Sequence, residues 1–186
     1  MSIRQAIQNL KCEMDKLAIN AETGLGKELF LFASTLTPIV NVDLLVTNEK
    51  QQILLSWRND PHSGNGWHIP GGCIRFKEKM EERIQKTAQE EFGTPVQTIG
   101  EPIQVFEIFS DEYREGVIDQ CERAHFITLV YHCRFLKEFQ LEQGNRKPGE
   151  PGYLQWFDTL PDDLLTVQSC YRARWSEICK KLWRND

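Results

Sequence analysis

The chain opens with Ile3, Ile7, Leu10, Met14 and Leu17 spaced three and four apart over residues 2 to about 20, which predicts an amphipathic helix. Asn20 to Lys27, with Thr23, Gly24 and Gly26, then breaks the pattern. Two apolar segments follow, 28–36 and 39–47, separated at Thr37-Pro38, and with Gln52–Trp57 they read as three strands. The periodicity changes at 80. From about Met80 to Phe92 the chain is charged and lacks Pro and Gly, so it predicts a helix, with Gly93 as its stop signal. Strand character returns at Ile103–Phe109 and, after the polar loop SDEYREGVIDQCERA, in FITLVYHCRF. The tail contains a Gly- and Pro-rich loop, EQGNRKPGEPG, then the strand YLQWF. A closing helix from about Asp162 carries Leu165, Tyr171, Trp175, Ile178 and Leu182 on one face.

No internal repeat interrupts this order. The pattern implies an N-terminal helix and linker over 1–27, a possible dimer contact, and one domain over 28–186.

The chemistry concentrates between Trp67 and Gly93. The tight turn Pro70-Gly71-Gly72 precedes a helix that ends on adjacent carboxylates, Glu90 and Glu91. If the turn folds back along the helix, a carbonyl near Gly71 and those carboxylates face one point, an all-oxygen site suited to Mg²⁺ or Mn²⁺. Asp43 lies inside the apolar run IVNVDLLV, where an ionised carboxylate is costly unless paired; a wet strand face and a cleft position both fit. Arg58 ends a strand at the edge of a loop, as a solvated guanidinium or as a group able to take up charge on a diphosphate. His125 stands where a long loop meets a strand, either bonded to a neighbouring carbonyl or carried there for catalysis. His132 reads as a packed strand residue, and His62 and His68 as structural or solvent-exposed.

Composition narrows the partners. A formal charge of -5 argues against a nucleic-acid backbone. The start of the chain lacks a signal-peptide core, and no apolar run approaches a membrane span. Six cysteines without a C-x-x-C pair fit free thiols in a reducing cytoplasm.

The spacing from Gly72 onward resembles the signature of the Nudix hydrolases, G-x5-E-x7-R-E-U-x-E-E-x-G-U with U aliphatic. Gly72, Glu78, Ala88, Glu90, Glu91 and Gly93 match it, and Trp67 and Pro70-Gly71 fit the lead-in. Lys86 stands at the Arg position, Thr87 at the first helix Glu and Thr94 at the last aliphatic position. Within the family, TPIVNVDLLV, ILLSWRND, WHIPGG, AHFITLVYHCRF and YLQWF resemble the GDP-mannose mannosyl hydrolases. Those enzymes cleave carbon–oxygen rather than phosphorus–oxygen bonds. Cys73 departs from that subgroup, which carries an arginine after the glycine pair.

The resemblance implies an α/β fold, an α/β/α sandwich around a mixed β-sheet, and a homodimer. It implies a nucleotide-sugar substrate and one divalent cation held by the Gly71 carbonyl and Glu91. Asp43 would lie in the active site, Arg58 would stabilise the departing diphosphate, and His125 would be the general base. Two rivals remain: a pyrophosphatase attacking phosphorus, with Glu90 or Glu78 supplying the missing carboxylate, and a nucleotide-sensing module without turnover.

Overall fold

The computed structural model describes residues 1–17, 24–61, 63–109, 125–141 and 143–183. The polar loop 110–124, His62 and part of the predicted break after the first helix lie outside the described residues.

Among the described residues, eight strands form two sheets. In the larger, β4 (Gly71–Cys73), β1 (Ile39–Val46), β7 (His125–Phe135) and β5 (Val96–Thr98) lie in that order, with β6 (Gln104–Phe109) also on β7. β1 and β7 run parallel and every other pair is antiparallel, so the sheet is mixed. A parallel pair covered on both faces needs apolar residues at nearly every position, and IVNVDLLV supplies them. The second sheet places β2 (Ile53–Asp60) between β3 (Gly64–His68) and β8 (Leu154–Phe157), all antiparallel.

Helices cover both sides. Alternate β1 residues Val42, Leu44 and Val46 pack with Ile84, Ala88 and Phe92 of α3 (Met80–Phe92). Leu45, with Ile53 and Leu55 of β2, packs on the other side with Tyr171, Ile178 and Leu182 of α4 (Ser169–Leu182). The result is the expected α/β/α sandwich. At the N-terminus, α1 (Ile3–Lys16) buries no residue and leaves Ile3, Ile7 and Leu10 exposed.

The segment expected to be the first strand, 28–36, is instead largely helical: α2 spans Gly26–Ser34. A short apolar run cannot be assigned by periodicity alone. Here Lys27, Glu28, Leu29 and Ala33 favour helix, and among the described residues β4 remains the edge of its sheet. The proposed 27/28 boundary falls inside this helix. Arg58 needs a second correction. It sits within β2 opposite Gly66, because β2 and β3 form a hairpin paired out to Asp60 and Gly64, so the Gly-rich loop is mostly strand. The tail helix begins at Ser169, after a 3-10 turn at Thr166–Gln168.

Close packing of the glycine turn positions the site. β4 pairs with β1 through Asp43 opposite Gly71 and Val42 opposite Gly72. A Cβ on Gly72 would lie 2.4 Å from Thr87 Oγ1 and 2.9 Å from Arg83 Cδ. The turn therefore rests directly on α3. Gly93 closes that helix in the left-handed region at φ 70°.

Two predictions follow from this packing. Gly72→Ala should cost about 1–3 kcal/mol by overpacking, and Thr87→Ala in the same chain should recover part of it, a coupling of about 0.5 kcal/mol or more. Urea midpoints of the four variants measure the cycle; strict additivity would show that the two residues do not press on one another.

The second concerns His132 of β7, buried with Nε2 2.8 Å from Thr47 Oγ1. Burial, helped by the charge of Arg134, lowers its pKa to about 4. The unfolded chain takes up that proton below about pH 6.5, so the stability His132 confers is present above that pH and lost as pH falls toward 4. In His132→Gln the decline in unfolding free energy between about pH 7 and pH 4.5 should be shallower than in the parent. Parallel curves would count against the assignment.

Candidate active site

α3 presents one polar stripe toward the sheets. Arg83, Thr87, Glu90 and Glu91 recur at helical spacing, so they meet the glycine turn on one side and β2 on the other. Glu78, just before the helix, is the anchor of this stripe. Its Oε1 accepts from Arg83 Nη2 at 2.9 Å and Lys86 Nζ at 2.8 Å, and its Oε2 accepts from Arg83 Nε and the Arg75 backbone, both at 2.9 Å. Burial alone would raise the Glu78 pKa, but these donors pull it down to about 2. Lys86, at the signature's Arg position, thus keeps its contact with Glu78, and Arg83 adds the two-pronged geometry that lysine lacks. Nothing in the spacing signalled Arg83, since it falls at one of the seven unspecified positions between Glu78 and Lys86.

Thr87 is 1% exposed, and its hydroxyl has no hydrogen-bond partner. It fills the gap beneath Gly72 where the signature would put a carboxylate.

Glu91 points to the second sheet. Its Oε1 lies 3.4 Å from Arg58 Nη2 and 4.0 Å from His68 Nε2. Burial raises the Glu91 pKa and the neighbouring Glu90 charge adds to this, while Arg58 and Ser56 oppose it. His68, expected to be structural or exposed, is buried beside this carboxylate. Its Nδ1 lies 2.7 Å from the Ser56 carbonyl, which can only accept, so Nδ1 carries the hydrogen. Burial and the Arg58 charge lower the His68 pKa to about 3. The ring is neutral and its Nε2 lone pair, without a partner, faces Glu91.

Asp43 lies on the α4 side of β1 with Leu45. Tyr171 Oη donates to its Oδ2 and Asn41 Nδ2 to its Oδ1, both at 2.5 Å. Burial raises its pKa to about 7 against the pull of Tyr171, Arg58 and Asn41. A Cβ on Gly71 would lie 2.1 Å from Asp43 Oδ1, so this carboxyl fixes the floor of the turn. From the other side, Gln168 clamps Ile69. Its Oε1 accepts from the Ile69 amide at 2.8 Å and its Nε2 donates to the Ile69 carbonyl at 2.9 Å. The Pro70 carbonyl accepts from the Leu44 amide at 2.8 Å. Gln168 and Tyr171 lie about 100 positions or more downstream of these partners, and no local pattern marks them.

Of the expected site residues, Asp43 lies against Gly71 and Glu91 beside Arg58, with Arg58 acting electrostatically on both carboxyls. Glu90 flanks them, its side chain 63% exposed and 3.8 Å from Arg83. His125 stands apart. Asp43 is opposite Val130 in β7, which leaves His125 about 16 Å farther along the strand at ~3.3 Å per residue. Strand alternation carries it to the same face as Leu129 and Tyr131, the α3 side. Its Nε2 lies 3.4 Å from Glu107 Oε1, and its ring stacks on Phe109 at 4.3 Å. Among the described residues no three His, Cys, Asp or Glu side chains converge as a metal set.

Comparison with known proteins bears on these arrangements. The NUDIX domain model matches residues 37–165. Low-salt glycan biosynthesis protein Agl8 of Haloferax volcanii is 35% identical over 119 residues, 62% of this chain and 73% of its own length. Among solved structures, a possible asymmetric diadenosine tetraphosphate hydrolase from Jonesia denitrificans has a TM-score of 0.55 at 19% identity, covering 79% of this chain and 98% of that one. A UDP-X diphosphatase has a TM-score of 0.53 at 19% identity, covering 97% and 82%. At such identities the structures attest the fold, while the domain match over most of the chain and the glycine turn seated on an acidic helix attest descent. The chain therefore belongs to the Nudix hydrolase family.

Proposed function

We propose that this Nudix hydrolase cleaves a nucleotide sugar of the GDP-mannose type, releasing nucleoside diphosphate and free sugar by attack of water at the anomeric carbon. The observation that carries the proposal is the state of the box carboxylates. Thr87 replaces the carboxylate that in ordinary family members helps bind metal or activates water for attack at phosphorus. Glu78 cannot stand in, because four donor contacts hold it ionised and occupy its oxygens. Water activation at phosphorus thereby loses two of its candidates. The likeness to a protein named for glycan biosynthesis points the same way.

Nudix hydrolases use divalent cations such as Mg²⁺ or Mn²⁺. Such an ion takes one or two carboxylates and keeps several waters, so a three-side-chain set is not required. The donors here fit: Glu90 and Glu91 are adjacent and repel one another, and the buried His68 Nε2 beside Glu91 has no hydrogen-bond partner. The Gly71 carbonyl, Glu90 and Glu91 would hold the cation, which when bound neutralises charge on the diphosphate.

The protein's own groups divide the remaining work. Arg58, fixed in β2 next to Glu91, receives the charge that grows on the departing diphosphate. Asp43 keeps the turn in register through Tyr171 and Asn41. The buried side chains around Glu91 exclude water from that carboxylate. His125 takes the proton of the attacking water in this reading, on the face shared with the box helix. A second reading, attack at phosphorus, is favoured by the exposed Glu90 carboxylate, the one box carboxylate not tied up by a close donor.

Turnover of GDP-mannose in ¹⁸O-labelled water with Mg²⁺ separates the readings: label in the free sugar is expected, and label in a phosphate would establish the second. Glu91→Gln should lower metal-dependent turnover by about 10²-fold or more while the far-UV spectrum and melting temperature hold. Near-normal turnover in that variant would remove Glu91 from the metal site. His125→Gln should lower kcat by about 10²-fold with little change in KM; an unchanged kcat would transfer the base role to Glu90.

A further inference from the structure

Beside the box lies a cleft of about 980 Å³ that the signature does not describe. One end is made by Gly72, Arg83 and Glu90, so the cleft is continuous with the proposed diphosphate site. Its outer wall is α2, through Leu25, Phe30 and Ala33. The opposite wall is the start of β1, with Pro38, Ile39 and Val40, and the segment after β4 adds Ile74 and Phe76. Phe76 is 74% exposed and Val40 40% exposed, an apolar presentation unusual on a rim that is not used for binding.

Polar side chains in this lining lie mostly where the cleft meets the box, at Cys73, Arg75, Arg83 and Glu90, with Thr37 at the other end. Arg83 is committed to Glu78. A sugar placed between α2 and the start of β1 would meet the apolar side chains of Leu25, Phe30, Ala33, Pro38, Ile39 and Val40 and lose water bonds there, which is unfavourable for each buried hydroxyl. A planar heteroaromatic ring has the opposite character, since its faces gain from apolar and aromatic contact.

We infer that this cleft receives the nucleobase of the substrate, and that α2, which precedes the matched domain at residues 37–165, supplies the wall that selects it. The inference rests on the nucleotide-sugar reading above and adds its orientation: diphosphate at the box and base between α2 and β1. Specificity for the base then resides in a segment outside the catalytic domain, and the catalytic groups are indifferent to it.

The test is equilibrium binding with Ca²⁺ in place of Mg²⁺ to suppress turnover, using GDP, ADP, UDP, inorganic pyrophosphate and mannose 1-phosphate as probes. In the parent protein at least one nucleoside diphosphate should bind about tenfold tighter than pyrophosphate. Ala33→Trp, which fills the cleft from α2, should abolish that advantage and leave pyrophosphate affinity unchanged. Phe76→Ala, at an exposed position with little bearing on folding, should reduce the advantage in the same direction. Nucleoside diphosphates binding no tighter than pyrophosphate would overturn the inference while leaving the box reading standing. Loss of mannose 1-phosphate affinity in Ala33→Trp with nucleoside diphosphates unaffected would also overturn it, assigning the cleft to the sugar. Absence of pyrophosphate binding by the parent protein would instead refute the diphosphate site on which the inference rests.

Discussion

Two residues without side chains set the geometry of this protein. Gly71 lies so close to the Asp43 carboxyl, and Gly72 so close to Thr87 and Arg83, that a methyl group at either position would collide. Strand β4 is thereby pressed between a buried acid on one side and the box helix on the other. Helix, turn and central strand become one rigid unit, because moving any of them opens a void or a clash. The proposed site residues are referred to that unit: Glu90 and Glu91 through the helix, Gly71 through the turn, Arg58 through its contact with Glu91.

Charge is sorted around the same unit by solvent access. Glu78 is buried among donors and is held ionised well below the carboxylate range, so it serves as a counter-ion for Arg83 and Lys86. Glu91 is buried with fewer donors, and its pKa moves upward. Asp43, buried deeper still, moves to about 7 even with Tyr171 donating to it. Three carboxyls within one motif and its neighbouring strand thus have three protonation behaviours, each following from the number of donors left after desolvation. Glu78 and Asp43, whose oxygens both accept hydrogen bonds, are structural, and Glu91, held only at 3.4 Å by Arg58, is the one left able to respond to a cation.

Much of this arrangement could be read from the chain. The box helix from Met80 to Phe92, its Gly93 stop, the buried strands around Asp43 and Tyr131, and the sandwich implied by the family resemblance are all found, because each rests on a local pattern or a motif. What failed was non-local or ambiguous. α2 looked like strand because Leu29, Phe30, Leu31 and Phe32 form an apolar run too short to reveal its period, and the edge of the sheet ended before it. Arg58 looked like a loop-edge residue because Gly64 and Gly66 suggested a loop, whereas they belong to the return strand of a hairpin. His68 looked incidental, since only the pairing of Ser56 with His68 brings its ring beside Glu91. Gln168 and Tyr171 could not have been found, because their partners are about 100 positions away or more and the contact exists only once α4 has packed.

The substitution at position 87 can be understood within this packing. A threonine fits beneath Gly72 with its hydroxyl 2.4 Å from where a Cβ would stand, so the space available there is that of a small side chain. A glutamate at the same position would have to extend away from the turn, toward Glu90 and Glu91, adding a third negative charge to a pair that already raises the Glu91 pKa. With two carboxylates the box can still hold one cation through oxygen donors, but it lacks a spare base on the helix. Chemistry at phosphorus needs a water activated beside the metal, and chemistry at the anomeric carbon needs one on the far side of the sugar. A helix with threonine at this position offers no carboxylate for the first of these, and that packing constraint at Gly72 is why the proposed reaction places the activated water away from the helix.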